Sequence, residues 1–517
     1  MKQIKILWTD DEIDILKPHI IFLEEKGYEV LTSSNADDAV SMVEEQDIDI
    51  IFLDENMPGK SGLEILPVLK NIAPEIPVIM ITKSEEENIM EEAIGSQIDD
   101  YLIKPVNPKQ ILLTIMKFID QKKLISKKTI SSYQSGFGEI STLINHAVNF
   151  DDWVDIYKKL VFWEMELEKS ETDGMQEVLR MQNVEANQEF SKFIKKNYLK
   201  WVNHQAAGPI LSPNLFSSKI FPLIEKGEKV VVMLIDNFRY DQWKAVYPIL
   251  QDIYRVEEEE IYCSILPTAT QYARNAIFSG LMPLDIQQTH PQWWLFDEDQ
   301  ESKNQFEALL LEKQIERSGK NFSFHYEKVN NPRTGQKLVE QFPNYLNNSL
   351  IVVVYNFVDM LSHARTESEM IRELAGDENA YRSITQSWFN HSHILDVIKI
   401  LSEHNIKLII TTDHGTIRVN HPIKVIGDKK TSANLRYKTG KSLNYNPKEV
   451  FEIINPGEAA LPKSNMSSRF IFALNNDFLI YPQNYNYYVS YYKNTFQHGG
   501  ISLQEMLIPY VLLNPKG

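Results

Sequence analysis

The 517-residue sequence contains a single cysteine, Cys263, and its apolar runs are all short. One cysteine excludes an intrachain disulfide framework and zinc ribbons built from cysteines. A membrane-spanning helix needs about 18 to 20 consecutive apolar residues, so a membrane-spanning protein is excluded as well. The N-terminus has acidic residues directly after a short apolar run and lacks the cleavage site of a signal peptide, so we expect a cytoplasmic protein.

The first arginine of the chain is Arg180, so arginine is absent from the N-terminal third. Residues 1–125 carry 12 lysines against 25 acidic residues, a net charge of −13. Residues 126–517 carry 41 basic and 46 acidic residues, a net charge of −5. This shift in composition predicts that the N-terminal quarter is a separate module. The length allows about three domains, which we place at 1–122, 123–205 and 206–517.

The N-terminal module alternates short apolar runs with segments of helical spacing. The runs lie at 4–8, 28–32, 48–54, 77–82 and 101–104. This alternation predicts a five-stranded parallel, doubly wound α/β sheet. The chemistry of such a sheet lies at the carboxyl ends of its strands. The polar residues at those ends are Asp10, Asp11, Asp54, Thr82 and Lys104. Three carboxylates at one edge predict a bound Mg²⁺ ion.

This module resembles the receiver domain of two-component response regulators. The matching pieces are Asp10-Asp11-Glu12, the FLDENMPGKSG run around Asp54, Thr82, Tyr101 and Lys104-Pro105. The resemblance implies that Asp54 accepts a phosphoryl group from a histidine kinase. It also implies one Mg²⁺ ion held by Asp10, Asp11, Asp54 and the main-chain carbonyl of Asn56. The implied switch residues are Thr82, Tyr101 and Lys104.

Residues 123–205 begin with a polar stretch rich in lysine and serine. Two long segments with apolar residues at helical spacing follow. One face of the second segment would carry Phe190, Phe193, Ile194, Tyr198 and Trp201. The pattern predicts a small helical bundle that connects the N-terminal module to an output domain.

Three strand-like runs in residues 206–517 end in residue types that bind metals. The runs lie at 229–236, 349–356 and 406–415. The metal-ligand types at or after their ends are Asp236, Asp359, His363, Asp413 and His414. If the strands are parallel neighbours, these side chains meet at one edge, which predicts bound Zn²⁺ or Mn²⁺. His498, in a QHGG run, adds a third imidazole.

A hydroxyl nucleophile is expected beside such a site, because a metal ion can stabilise an alkoxide. The LPTATQYARN turn offers Thr268 and Thr270. A helix predicted to start near Gln271 would favour a phosphate through its N-terminal N–H groups. Both threonines are therefore candidates.

The C-terminal segment resembles the alkaline phosphatase superfamily and, within it, the PglZ domains. The motifs, in family order, are VVMLIDNFRYDQW, the TAT turn, D-x-x-x-H after a strand, TTDHG and His498-Gly499. The resemblance implies two zinc ions and a threonine nucleophile, with Thr270 preferred over Thr268. One zinc would be held by Asp359, His363 and His498. The other would be held by Asp236, Asp413, His414 and the hydroxyl of Thr270.

The segment from Lys424 to Lys441 is rich in basic residues and contains one aspartate, for a net charge of +5. Such charge predicts attraction of a polyanion such as an oligonucleotide. The candidate substrate-binding residues are Lys429, Lys430 and Arg436. A solvated loop without a binding role is the alternative.

A receiver joined to a PglZ domain resembles a family of response regulators that control type IX secretion. The resemblance implies a metal-dependent phosphodiesterase that acts on cyclic and linear oligonucleotides. It also implies a histidine kinase and a sigma factor as partners, and a homodimer that forms on phosphorylation. A non-catalytic zinc-binding scaffold that engages the sigma factor is the alternative. A DNA-binding output is disfavoured, since residues 206–517 are rich in strands rather than short, basic and helical.

Overall fold

This computed structural model of the chain describes residues 4–83, 98–106, 108–115, 118, 133, 136–169, 173–296, 299, 301–367, 376–427, 432–465 and 467–516. The chain divides into two compact units, Met1–Ser132 and Tyr133–Gly517. Among the described helices, none combines the length and the apolar composition needed to cross a bilayer.

The N-terminal unit is built on a parallel sheet. Its strands are β1 (Lys5–Thr9), β2 (Glu29–Ser33), β3 (Ile50–Asp54), β4 (Val78–Thr82) and β5 (Asp100–Ile103). Its described helices are Ile13–Leu16, Lys17–Glu25, Ala36–Glu45, Gly62–Ile72 and Pro108–Ile115. The strand order is β2-β1-β3-β4-β5, and every pairing is parallel. The doubly wound fold predicted from the sequence is confirmed.

Both faces of this sheet are covered by apolar side chains. Strands β3 and β4 are buried along their whole length, as expected for parallel strands between two layers of helices. Successive residues of β1 belong to opposite clusters: Leu7 packs on one face, and Ile6 and Trp8 on the other. Residues 84–97, which follow β4, and residues 119–132 lie outside the described residues.

The C-terminal unit begins with helical residues 136–146, Phe150–Glu168 and Asp173–Val202. Phe190, Ile194, Tyr198 and Trp201 are buried, which confirms the predicted apolar face. These helices share one hydrophobic core with the sheet that follows. The expected boundary near residue 205 therefore lies inside one compact unit, because the apolar helix faces are buried against the sheet domain.

Thirteen strands follow in the described residues of the C-terminal unit. They are β6 (Val230–Ile235), β7 (Tyr254–Cys263), β8 (Phe324–Val329), β9 (Leu350–Tyr355), β10 (Lys407–Thr411), β11 (Ile417–Arg418), β12 (His421–Lys424), β13 (Tyr437–Gly440), β14 (Val450–Ile453), β15 (Arg469–Ala473), β16 (Asp477–Ile480), β17 (Phe496–Gln497) and β18 (Leu507–Pro515). The six-stranded main sheet has the order β7-β18-β10-β6-β9-β8.

In the main sheet β10, β6, β9 and β8 are parallel, whereas β18 is antiparallel to its neighbours β10 and β7. The three strands expected to be neighbours from the sequence, β10, β6 and β9, are adjacent and parallel. Their carboxyl ends consequently lie at one edge. The antiparallel pair β11 and β17 places the chain after His414 beside the chain before His498.

Further helices pack around these sheets. The α-helices are Phe221–Glu225, Tyr240–Leu250, Thr270–Ser279, Pro283–Thr289, Glu307–Arg317, Pro332–Gln341, Phe357–Glu367, Glu378–His391, His393–Glu403, Tyr485–Tyr492 and Leu503–Met506. Shorter 3₁₀ or π turns are Ser212–Asn214, Phe216–Ile220, Pro291–Trp293, Phe342–Tyr345 and Pro456–Ala459.

Candidate functional site

Asp10, Asp54 and Lys104 meet at the carboxyl edge of the N-terminal sheet. Asp10 directly follows β1, Asp54 ends β3, and Lys104 directly follows β5. Nζ of Lys104 lies 2.9 Å from Oδ2 of Asp10 and 3.0 Å from Oδ1 of Asp54. Both carboxylates are buried, so the ammonium group offsets charge that would be costly to bury alone.

Asp11 completes a group of three carboxylates at this edge. One oxygen from each of Asp10, Asp11 and Asp54 lies within 4.8 Å of the others. Burial, opposed by the hydrogen bond from Lys104 and aided by the nearby Asp10 carboxylate, raises the pKa of Asp54 to about 6. Three carboxylates and one ammonium leave an excess of negative charge, and oxygen ligands suit Mg²⁺. The residues therefore fit a Mg²⁺ ion.

The other candidate receiver residues surround this group. Thr82 ends β4, is buried, and donates a hydrogen bond from its hydroxyl to the carboxylate of Glu55. Asn56 is exposed in the loop after Asp54. The side chain of Tyr101 is 39% exposed. Tyr101, one of the implied switch residues, is thus partly open to solvent.

The polar residues after β6, β9 and β10 meet at one edge of the main sheet. Asp236 directly follows β6, Asp413 follows β10, and Asp359 lies in the first turn of the Phe357–Glu367 helix after β9. Asn237 connects them. Its N–H donates to Oδ1 of Asp413 at 3.3 Å, and its side-chain amide donates to Oδ1 of Asp359 at 3.4 Å. Its φ of 63° lies in the left-handed region, which asparagine tolerates well.

Asp359, His363 and His498 form one group of metal-ligand types. Asp359 and His363 lie one turn apart on the same helix, with Nε2 of His363 3.5 Å from Oδ2 of Asp359. Nε2 of His498 lies 3.5 Å from the other oxygen, Oδ1. The three ligand atoms are within 4.8 Å of one another, so a single ion can contact all three.

Asp236, Asp413 and His414 form a second group, which is fully buried. Nε2 of His414 lies 3.7 Å from Oδ1 of Asp236 and 3.8 Å from Oδ2 of Asp413. The Thr270 hydroxyl lies 3.1 Å from Nε2 of His414 and donates to Oδ1 of Asp236 at 3.3 Å. The two groups are adjacent, because the rings of His414 and His498 stack with centroids 4.3 Å apart.

Backbone carbonyls orient two of the imidazoles. Nδ1 of His414 lies 3.1 Å from the carbonyl oxygen of Gly415, and Nδ1 of His498 lies 3.2 Å from that of Thr268. A carbonyl oxygen only accepts, so each Nδ1 carries a proton and each Nε2 faces the carboxylates. Burial, with His414 and His363, holds the pKa of His498 well below its usual range, which keeps this ring neutral.

The donor set of both groups suits zinc. Neutral imidazole nitrogens beside carboxylates are common zinc ligands. Oδ2 of Asp413 is buried, and no described residue donates a hydrogen bond to it. Burial, together with the charge of Asp236, raises the pKa of Asp359 and that of Asp413 to about 6. A cation at this edge would favour the ionised carboxylates, so the residues fit two zinc ions.

Thr268, the alternative nucleophile, has a different environment. Its hydroxyl is buried, donates to the carbonyl oxygen of Gly500 at 2.9 Å, and accepts from the N–H of Gly499 at 3.0 Å. Its carbonyl oxygen accepts from His498. Thr268 therefore holds the loop that carries His498, whereas Thr270 is the threonine at the ligand atoms.

Comparison with known families agrees with this geometry. The model of the BREX system PglZ alkaline phosphatase-like domain matches residues 215–513, more than half of the chain. The chain belongs to the PglZ alkaline phosphatase-like family. The PorX response regulator linker domain matches residues 123–202, and the response regulator receiver domain matches residues 6–116. A receiver, this linker and a PglZ domain form the PorX architecture, so the protein is a response regulator with a PglZ alkaline phosphatase-like domain.

Individual relatives match about a quarter of the chain. Alginate biosynthesis transcriptional regulatory protein AlgB of Pseudomonas aeruginosa is 32% identical over 126 residues, which cover 24% of this chain and 28% of AlgB. Response regulator SaeR of Staphylococcus aureus is 33% identical over 140 residues, 27% of this chain and 60% of SaeR. The chain thus spans less than two thirds of the length of these curated relatives. A solved receiver domain of Clostridium thermocellum is 35% identical, covering 23% of this chain and 98% of that one, with a TM-score of 0.22.

Two buried residues of the PglZ domain, Arg274 and Glu307, were not predicted from the sequence. Nη1 of Arg274 donates to Oδ2 of Asp236 at 2.6 Å, and its Nε donates to Glu307 at 2.6 Å. The sequence feature that could have identified Arg274 is its position one helical turn after Thr270. Glu307 lies 33 residues beyond Arg274 and has no such signal.

The basic segment of the PglZ domain is partly buried. Arg436 is 0% exposed, and its Nη2 and Nε donate to the two carboxylate oxygens of Glu505 at 2.6 and 3.1 Å. The prediction that Arg436 binds substrate is wrong, because this interior ion pair occupies its guanidinium. Lys438 is buried as well, and its Nζ donates to two backbone carbonyls. Lys429 and Lys430 lie outside the described residues.

Proposed function

We propose that the PglZ domain is a zinc-dependent phosphodiesterase with Thr270 as its nucleophile. The observation that carries this proposal is the position of the Thr270 hydroxyl, 3.1 Å from Nε2 of His414 and 3.3 Å from Oδ1 of Asp236. Thr270 is also the first residue of its helix, whose N–H groups favour a phosphoryl group. A hydroxyl between zinc-ligand types and a helix N-terminus suits attack on phosphorus.

Each zinc ion has a set of residues to hold it. The sets are Asp359, His363 and His498, and Asp236, Asp413, His414 and Thr270. Zinc bound there supplies Lewis-acid chemistry, which favours loss of a hydroxyl proton and stabilises negative charge on phosphoryl oxygens. Among the chain's own groups, Oδ1 of Asp236 accepts the hydrogen bond from Thr270 and thereby orients the attacking oxygen. Thr270 is half-buried, and Asp236, Asp413 and His414 of the neighbouring ligand group are buried.

We propose cyclic and linear oligonucleotides as substrates. The support is the positive charge of the segment between Lys424 and Lys441, since charged lysines attract a chain of phosphates. Lys424 and Lys441 are exposed, and Lys429 and Lys430 lie between them in sequence. Arg436 and Lys438 do not add to this surface, because both are buried.

The receiver domain implies a phosphodonor such as a histidine kinase, and we propose Asp54 as the phosphoryl acceptor. Asp54 supports this role through its place among three carboxylates and its 3.0 Å contact with Lys104, which can pair with the added phosphate. We further propose that phosphorylation favours a homodimer that engages a sigma factor. In this way the protein would regulate type IX secretion.

The test is turnover by the purified full chain at known zinc content. The substrates are a chromogenic phosphodiester, a cyclic dinucleotide and a short linear oligonucleotide. We expect one zinc ion for each of the two ligand groups, and hydrolysis that Thr270→Ala abolishes. A wild-type protein that holds both zinc ions and cleaves none of these substrates would instead favour a zinc scaffold that binds a sigma factor.

A further inference from the structure

Arg274 is buried between the ligand groups and Glu307. Its side chain is 2% exposed, with Nη1 2.6 Å from Oδ2 of Asp236 and 3.8 Å from Oδ2 of Asp413. Its Nε lies 2.6 Å from Oε1 of Glu307. A planar guanidinium that binds carboxylates on two sides is held in one orientation.

The two oxygens of Asp236 have different neighbours. Oδ2 accepts a hydrogen bond from Arg274. Oδ1 faces the Thr270 hydroxyl at 3.3 Å and Nε2 of His414 at 3.7 Å. Because Arg274 occupies Oδ2, the oxygen that faces the other ligands is Oδ1. The direction in which Asp236 can bind a cation is therefore set by Arg274.

Glu307 is anchored on its far side. Its side chain is 1% exposed, and its Oε2 accepts hydrogen bonds from the Tyr326 hydroxyl and, at 3.1 Å, from Nζ of Lys328. Both donors belong to β8, one of the two edge strands of the main sheet. A buried carboxylate with donors on both oxygens has little freedom to turn. The hydrogen bond that Glu307 accepts from Nε of Arg274 therefore keeps the guanidinium beside Oδ2 of Asp236.

We propose that Arg274, anchored by Glu307, is a positioning residue that orients Asp236 as a one-oxygen zinc ligand. This inference rests on the proposed zinc site. It concerns one of the two ligand groups, the one that contains Asp236, Asp413 and His414. In the described part of the chain, the other group makes no hydrogen bond or ion pair with Arg274.

The experiment measures both zinc affinities of the full chain by competition with a chelator. In Arg274→Gln, we expect the zinc ion at Asp359, His363 and His498 to keep its wild-type affinity. The zinc ion at Asp236, Asp413 and His414 should bind roughly 10- to 100-fold more weakly, which is the usual effect of removing a hydrogen-bond partner of a metal ligand. Arg274→Lys keeps the positive charge but lacks the planar guanidinium, whose nitrogens contact two carboxylates at once. This variant should therefore recover part of the lost zinc affinity. Arg317→Gln is the matched control, because Arg317 contacts the carbonyl of Ser279 rather than a carboxylate.

A second variant covers the case in which Arg274→Gln does not fold. Glu307→Gln leaves the guanidinium in place but removes the charge that anchors it, and should weaken the same single zinc ion. Wild-type affinity for both zinc ions in either folded variant would overturn the inference and leave the proposed site intact. Equal weakening of both ions would also overturn it, since that is the pattern of a general loss of structure. A wild-type chain that binds no zinc would overturn the proposed site together with the inference.

Discussion

The hydroxyl oxygen of Thr270 lies 3.1 Å from Nε2 of His414. This contact joins the start of a helix to the chain that leaves β10, two segments 144 residues apart. The Thr268 hydroxyl, in the same turn, points instead to the backbone of Gly499 and Gly500. The two threonines therefore have separable roles, which substitution can distinguish.

Replacing Thr270 should stop catalysis without removing zinc. Thr270→Ala deletes the proposed attacking oxygen and leaves the aspartate and histidine side chains of both ligand groups in place. We expect phosphodiester turnover to fall by at least about a hundredfold, while zinc content by atomic absorption stays at the wild-type value. Thr270→Ser, which keeps a hydroxyl, should retain measurable activity.

His363→Ala and Asp413→Ala are the comparison variants for this prediction. Each removes a ligand, so each should lower zinc content together with activity. Wild-type diesterase activity in Thr270→Ala would contradict the assigned nucleophile.

Replacing Thr268 should disturb the position of His498. Thr268→Val preserves the side-chain shape but leaves the Gly499 N–H and the Gly500 carbonyl without their partner, at a cost of about 1–3 kcal/mol for a buried group. We expect a lower unfolding temperature and weaker binding of the zinc ion held by His498. Thr268→Ser restores the hydroxyl and should restore both properties. An intact zinc content with complete loss of turnover in Thr268→Val would point to Thr268 as the nucleophile.

Phosphorylation of Asp54 should change the association state of the chain. An added phosphate can pair with Lys104 and accept a hydrogen bond from Thr82, which would draw Tyr101 inward and alter the adjoining surface. We expect a phosphate mimic with Mg²⁺ to raise the sedimentation coefficient of wild type but not of Asp54→Ala. An equal shift in both proteins, or in neither, would refute this mechanism.

Charge changes in the basic segment should separate stability from substrate binding. Arg436→Gln leaves Glu505 buried without its partner, and breaking such a pair typically costs about 3–5 kcal/mol. We expect a clear drop in unfolding temperature for this variant. Lys429→Glu with Lys430→Glu should leave the unfolding temperature unchanged and slow oligonucleotide turnover, most strongly at low salt. Unchanged turnover at low salt would assign these lysines to a solvated loop.

Burial lowers the pKa of Lys438 from 10.5 to about 7. Between these pH values the folded chain holds a neutral amine and the unfolded chain a protonated one, so the unfolded state binds more protons. The free energy of unfolding should therefore rise above about pH 7, by roughly 1 kcal/mol per pH unit. Lys438→Met removes this dependence.

The measurement is the difference in unfolding temperature between wild type and Lys438→Met across pH. We expect a constant difference below about pH 6, where Lys438 is charged in both states. As the pH rises through about 7 towards 9, the unfolding temperature of wild type should increase relative to that of Lys438→Met. A difference that stays constant over the whole range would show that Lys438 does not titrate there.

Much of the framework could be read from local patterns. The apolar run at 229–236 contains β6 at Val230–Ile235, and the run at 349–356 contains β9 at Leu350–Tyr355. Buried parallel strands need continuous apolar runs, and their carboxyl ends share one edge. For that reason the sequence alone determined that Asp236 and Asp359, which follow these two strands, would meet if the strands were neighbours.

Only the tertiary structure decided which charged and hydroxyl groups face the site. Arg436 looked like a surface cation, yet it pairs with Glu505, 69 residues away, and is buried. Arg274 reaches Asp236 across 38 residues, and Thr268 reaches Gly500 across 232. A residue's type shows its charge or hydroxyl, but its burial and its partners depend on distant segments that fold against it. No local stretch of sequence contains those long-range contacts, and they are what distinguish Thr270, the proposed nucleophile, from Thr268, which holds the loop of His498.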